Sequence, residues 1–133
     1  MKAEEHYNAV RESLEVIEES VQIGIEQRQR TIGFHCSAAA VDMLELFLHK
    51  QNSINPGKIV KHDFFSSEKK AHRMLPEKFR DREIIIPILV QLETKRNQLC
   101  YGKIKPTKDI EDYLAVFHKV RSFFDSRGLT YEE

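Results

Sequence analysis

The residue with the most chemistry to offer is an arginine in an apolar place. Arg96 lies on the line Ile85, Ile88, Leu89, Leu92 and Leu99, seven residues after Leu89, four after Leu92 and three before Leu99. A guanidinium cannot shed its charge by titrating, so on such a line it needs either a carboxylate partner or an open cleft. In one reading Arg96 is a core-edge residue, stem packed and head paired with a neighbouring helix. Asp42 and Glu45 are the available carboxylates, on one line with His35 and His49 at intervals of seven, three and four. In the other reading it faces an anion. Asn97, Tyr101, Gly102 and Lys103 follow it, and a guanidinium, an amide, a phenol and an ammonium at one helix end make a phosphate-binding set. Cations at a helix C-terminus also suit the helix dipole with no ligand at all.

Other groupings are less complete. His35, His62-Asp63 and then Asp109 or Asp112 follow the H…HD…D ligand order of HD-type metal phosphohydrolases. Yet His62-Asp63 sits in a loop of basic character rather than after an apolar helical run, and His35 reads as a core histidine. Cys36 and Cys100 form no CxxC pair and read as small buried thiols. Ser66-Ser67 reads as a helix cap, not a nucleophile, because no oriented base accompanies it. There is no Gly-rich phosphate loop. No metal ligands are assigned and no cofactor is implied.

The elements that must position these groups are helical. The chain has 133 residues, one domain over 1–133, with 41% hydrophobic and 32% charged residues. Only 5 Gly and 4 Pro punctuate it, which favours few, long elements and disfavours an all-β sandwich or barrel. Lys plus Arg is 21 and Asp plus Glu is 21, so net charge alone gives no strong attraction to nucleic acid. The start, Met1-Lys2-Ala3-Glu4-Glu5-His6, lacks the apolar core of a signal peptide, and the longest apolar run, Ile84–Val90, falls short of a membrane span. The expected location is a reducing cytoplasm.

Apolar residues at Tyr7, Val10, Leu14, Ile17, Val21 and Ile25 predict an amphipathic first helix. Thr31 is expected to cap a second, running to about Lys50, whose Cys36–Leu48 stretch is apolar on most sides and belongs in the middle of a bundle. Asn52-Ser53-Ile54-Asn55-Pro56-Gly57 is the clearest break. A short helix is expected near Ser67–Met74, entered from a loop with Phe64 and Phe65. The stretch around it is cation-rich and reads as a solvated face. The next helix starts near Asp81, with Pro87 as a candidate kink, and closes at Tyr101-Gly102. Pro106-Thr107 opens the last, which carries Ile110, Tyr113, Leu114, Phe117, Val120 and Phe124 to Arg127-Gly128. The expected fold is all-α, an up-and-down bundle of four long helices plus one short one.

Three stretches together resemble the HEPN domain family (higher eukaryotes and prokaryotes nucleotide-binding). They are Arg96-Asn97-Gln98-Leu99-Cys100-Tyr101-Gly102, the alanine-rich Ser37-Ala38-Ala39-Ala40-Val41-Asp42-Met43-Leu44, and Pro106-Thr107-Lys108-Asp109-Ile110-Glu111-Asp112 leading to Phe117 and Phe123-Phe124. The resemblance covers roughly Glu4 to Phe124. It implies a homodimer pairing through the motif helices, a possible nucleotidyltransferase partner in a toxin–antitoxin-like system, and an RNA or nucleotide ligand, with no membrane. It also implies a motif of arginine, polar residue and, four to six residues on, histidine. Arg96 and Asn97 match. Tyr101, Gly102 and Lys103 stand where the histidine belongs.

That departure bears on chemistry. Moving a 2′-hydroxyl proton without metal wants a group titrating near neutrality; histidine does so at about 6.5, tyrosine at about 10. The expectation is therefore a nucleotide- or RNA-associated module without nuclease activity of its own. Arg96, Asn97, Tyr101 and Lys103 would line its phosphate or dimer cleft, with Asp42 and Glu45 behind them. An active metal-independent RNase using Arg96 and Tyr101, an HD-type phosphohydrolase and a purely structural interaction protein are the alternatives.

Overall fold

The structure, a computed structural model, describes residues 3–55 and 58–131. Met1 and Lys2 of the N-terminal stretch, and Pro56 and Gly57 of the expected break, lie outside them. Among the described residues the chain is all-helical, without a strand. Helix α1 covers Ala3–Ile23, α2 Gln29–Lys50, α3 Glu68–Met74, α4 Arg82–Cys100 and α5 Thr107–Ser126, with a 3-10 turn at His62–Ser66 before α3.

The second helix occupies the centre, touching α1, α4, α5 and the 3-10 turn. Its apolar circumference is what that position demands: Ile32, Cys36, Ala39, Ala40, Met43, Leu44, Leu46 and Leu48 are all buried. By length and hydropathy alone α2 is apolar enough to cross a membrane, yet two-thirds of its most apolar window is buried against its neighbours. It starts at Gln29, so Thr31 lies inside the helix rather than capping it, and the Gln29 side chain is buried. Gln29 Nε2 donates to Leu99 O (3.0 Å) and Gln29 Oε1 accepts from the Lys105 N–H (2.7 Å), tying the α4–α5 turn to the start of α2.

The first helix rotates away from its apolar stripe. Its buried line is His6, Val10, Ser13, Ile17 and Ser20, whereas Val21 is exposed and Tyr7, Leu14 and Ile25 are half-buried. The physical reason is its neighbour: α1 packs on α2 alone among the helices, and the small Ser13 and Ser20 allow close approach there. Glu4, Glu5, Glu12, Glu15, Glu18 and Glu19 are exposed, as periodicity predicts.

Helix ends follow their local chemistry. Ser67 caps α3 by accepting from the Lys70 N–H at 3.0 Å. The segment with Phe64 and Phe65 is the 3-10 turn rather than an irregular loop, with Phe65 buried. Pro87 sits in the second turn of α4, where the helix runs on to Cys100. Gly102 (φ 91°) and Gly128 (φ 83°) follow the ends of α4 and α5 in the left-handed region that glycine tolerates.

Candidate functional site

Arg96 is buried, 6 % exposed, at the wall of a cavity of about 560 Å³. Helix α2 contributes Phe34, His35, Ala38, Val41 and Asp42 to this cavity, the segment before α3 contributes Val60, Lys61, His62 and Asp63, and α4 contributes Arg96. The guanidinium stacks over the Phe34 ring, 5.1 Å from its centroid, and Arg96 Nη1 donates to Asn97 Oδ1 at 3.2 Å. Its Nε is buried without a hydrogen-bond partner. Among the described residues no carboxylate lies within ion-pair distance of it.

The expected carboxylate partners are therefore elsewhere. Asp42 and Glu45 turn toward His6 of α1, with His6 Nδ1 2.6 Å from Asp42 Oδ1 and His6 Nε2 2.6 Å from Glu45 Oε2. Glu45 Oε1 accepts from the Val60 N–H at 2.6 Å. A helical line places side chains on one face of its own helix; which neighbour that face meets is decided by packing. Here α1 lies on that seam, so the histidine reaches the carboxylates. Asp42 still reaches the Arg96 cavity as a lining residue, and Glu45 does not. Burial raises the Asp42 carboxyl above the ordinary carboxylate range; the His6 contact opposes the shift and Glu45 adds to it.

Tyr101 meets Phe34 edge-on at 6.2 Å, so Arg96, Asn97 and Tyr101 form one contiguous group around that ring. Arg30 joins them from α2, 5.9 Å from the same centroid. Tyr101 is exposed and does not line the cavity. Lys103 is also exposed and outside it, and its carbonyl accepts from Gln29 Nε2 at 3.4 Å, away from the Phe34 group.

Two groups at this site carry weight that the sequence did not signal: Glu93, which holds His62 of the cavity wall, and Phe34, which lines the cavity itself. His62 Nδ1 lies 2.8 Å from Glu93 Oε2, and Glu93 is 4 % exposed on α4, one turn before Arg96. Burial pushes the Glu93 carboxyl up, against the opposing pull of His62 and Arg96. Glu93 falls beside Leu92 on the buried face, where an acidic residue in a charge-rich helix carries no mark of its depth. Phe34 was likewise indistinct, a half-buried aromatic at the edge of an apolar helix.

Of the H…HD…D set, His35, His62 and Asp63 line this cavity together, whereas Asp109 and Asp112 stand in the first two turns of α5 and do not. His35 is half-buried with its Nδ1 unpartnered, rather than a satisfied core residue. Cys36 and Cys100 are free and buried. Burial pushes both thiols up, so neither is a ready nucleophile. Compared with protein-family models, with curated proteins and with solved structures, the chain has no match in any of the three.

Proposed function

We propose that the chain is a HEPN-like module that binds the phosphate of a nucleotide or of RNA, with Arg96 as the anion anchor. One observation carries this reading: a buried arginine with no carboxylate among the described residues within ion-pair distance and its Nε unpartnered, at the wall of an open cavity. An unpaired charge in such a place is costly unless a ligand of opposite sign completes it. Lys61 and His62 line the same cavity, and Phe34 offers an aromatic edge there. Asn97 orients the guanidinium, and Tyr101 buttresses the ring on which it stacks. In this reading the four long helices run up and down, and the motif helices pair two copies into a homodimer in the cytoplasm, alongside a nucleotidyltransferase partner in a toxin–antitoxin-like system.

The test is titration of a fluorescently labelled short RNA and of a nucleoside monophosphate in excess chelator, with mass measured by light scattering. Saturable binding that weakens by at least about tenfold in Arg96→Ala is expected, one lost charge-assisted contact being sufficient for that change. Equal affinity of the two proteins, or no binding by either, overturns the assignment.

A second reading, RNA cleavage, is favoured by His62. It lines the Arg96 cavity with one ring nitrogen held by Glu93, which is how a general acid–base histidine is oriented. Tyr101, outside the cavity, is poorly placed for that role. Chelator-resistant cleavage lost in His62→Gln and retained in Tyr101→Phe is the outcome this reading requires.

A further inference from the structure

A second cluster lies where α1 crosses α2. His6 contributes from α1, and Glu45 and His49 contribute from one face of α2, four residues apart. One ligand atom from each lies within 4.8 Å of the other two. His6 Nε2, Glu45 Oε2 and His49 Nε2 are all buried and all lack a hydrogen-bond partner. His6 Nε2 and Glu45 Oε2 approach to 2.6 Å, yet they are not aligned as donor and acceptor. The His6 and His49 rings face each other at 5.9 Å, tilted by 35°.

We propose that His6, Glu45 and His49 bind a divalent first-row transition metal, of which Zn²⁺ is the type. Two imidazoles and one carboxylate form a recurring three-ligand set for such ions, leaving a further position for water or another ligand. The groups behind the ligands are already in place. Asp42 takes the hydrogen of His6 Nδ1, which leaves the Nε2 lone pair free to coordinate. The Val60 N–H holds Glu45 Oε1, so Oε2 is the oxygen that remains. A protonated His6 bridging the two carboxylates is the metal-free alternative, but it leaves the buried His49 Nε2 with no partner. Binding asks for a small adjustment, because ligand atoms about 2.0–2.2 Å from one ion spread to more than the present His6–Glu45 separation. Metal here ties the start of α1 to the end of α2. It is independent of the phosphate reading, although Asp42 touches both places.

The experiment uses the full chain, stripped with chelator and titrated with Zn²⁺ by calorimetry and with Co²⁺ by visible absorption. One ion per chain, ligand-field bands of Co²⁺ bound to nitrogen and oxygen donors, and a rise in Tm on loading are expected. His49→Gln, which removes no hydrogen bond to Val60 or Asp42, is expected to weaken binding by at least about tenfold. Glu45→Gln does the same, and His118→Gln on the exposed face of α5 leaves it unchanged. The proposal is overturned by absence of binding to a folded wild-type chain. It is equally overturned by binding that survives His49→Gln, or by bands showing thiolate ligation through Cys36 or Cys100.

Discussion

The guanidinium of Arg96 lies 5.1 Å from the centroid of the Phe34 ring, a cation from α4 stacked on an aromatic of α2 with its Nε unpartnered. Stacking of this kind contributes about 1 kcal/mol, whereas a buried unmatched polar group costs about 1–3 kcal/mol. Arg96 is thus expected to lower stability in favour of binding. Arg96→Met keeps the stem and removes the charge; urea unfolding is expected to show a variant at least as stable as wild type that no longer binds phosphate. Clear destabilisation would mean that the guanidinium is a structural tie.

Gly33 meets α4 at Cys100, and a Cβ placed on Gly33 lands 2.8 Å from Cys100 Sγ and 3.4 Å from Leu99 Cβ. Gly33→Ala is therefore expected to destabilise the chain by about 1–3 kcal/mol through overpacking, despite alanine's better helix propensity. Cys100→Ala vacates the clashing atom. The double variant should be more stable than the sum of the single changes implies, and a denaturation cycle with zero coupling would refute the contact.

Gln29 joins three segments with one buried amide, through Leu99 O at 3.0 Å and the Lys105 N–H at 2.7 Å. Gln29→Ala is expected to cost about 1–3 kcal/mol by orphaning these groups. Gln29→Glu still accepts from Lys105 but sets an oxygen against the Leu99 carbonyl, so it should cost as much or more. Hydrogen exchange at the Lys105 amide reads the local loss directly and should accelerate in Gln29→Ala.

The Glu93 carboxyl is raised in the folded chain, first by burial, with His62 and Arg96 opposing and Asp63 adding to the shift. The folded state then holds the Glu93 proton more tightly than the unfolded state. Stability from this group is present below the unfolded pKa, about 4.3, and is lost as pH rises from there through the higher folded value. The stability difference between Glu93→Gln and wild type should therefore move in favour of the variant between about pH 4 and pH 7. In a His62→Gln background, which removes the largest opposing contact, that movement should grow. A difference independent of pH would show that Glu93 titrates as it does in the unfolded chain.

Much of the helical framework was legible in the residues. Ser67 before an amphipathic stretch announced the α3 cap, and Gly102 and Gly128 marked the ends of α4 and α5, because capping depends on contacts within a few residues. The all-round apolar character of Cys36–Leu48 placed α2 at the centre for an equally local reason: no face of it can be left in water. The stripe of α1 misled, since Tyr7, Leu14 and Val21 are less buried than His6, Ser13 and Ser20. A helix that packs on one neighbour rotates to bring small residues into the crossing, and that rotation depends on the partner's surface.

The candidate site divides the same way. Its chain alone determined that Arg96 sits on an apolar line, that Asn97 stands beside it, and that His35, Asp42, Glu45 and His49 share a seam of α2, because helical period converts spacing into a face. Only the tertiary structure decided what meets each face. It brought His6 rather than Arg96 to Asp42 and Glu45, left Arg96 on Phe34 at the edge of a cavity, and set His62 of that cavity's wall against the buried Glu93 behind it. Those pairs join residues 31 to 62 positions apart, and no local rule of period or capping reaches across such an interval.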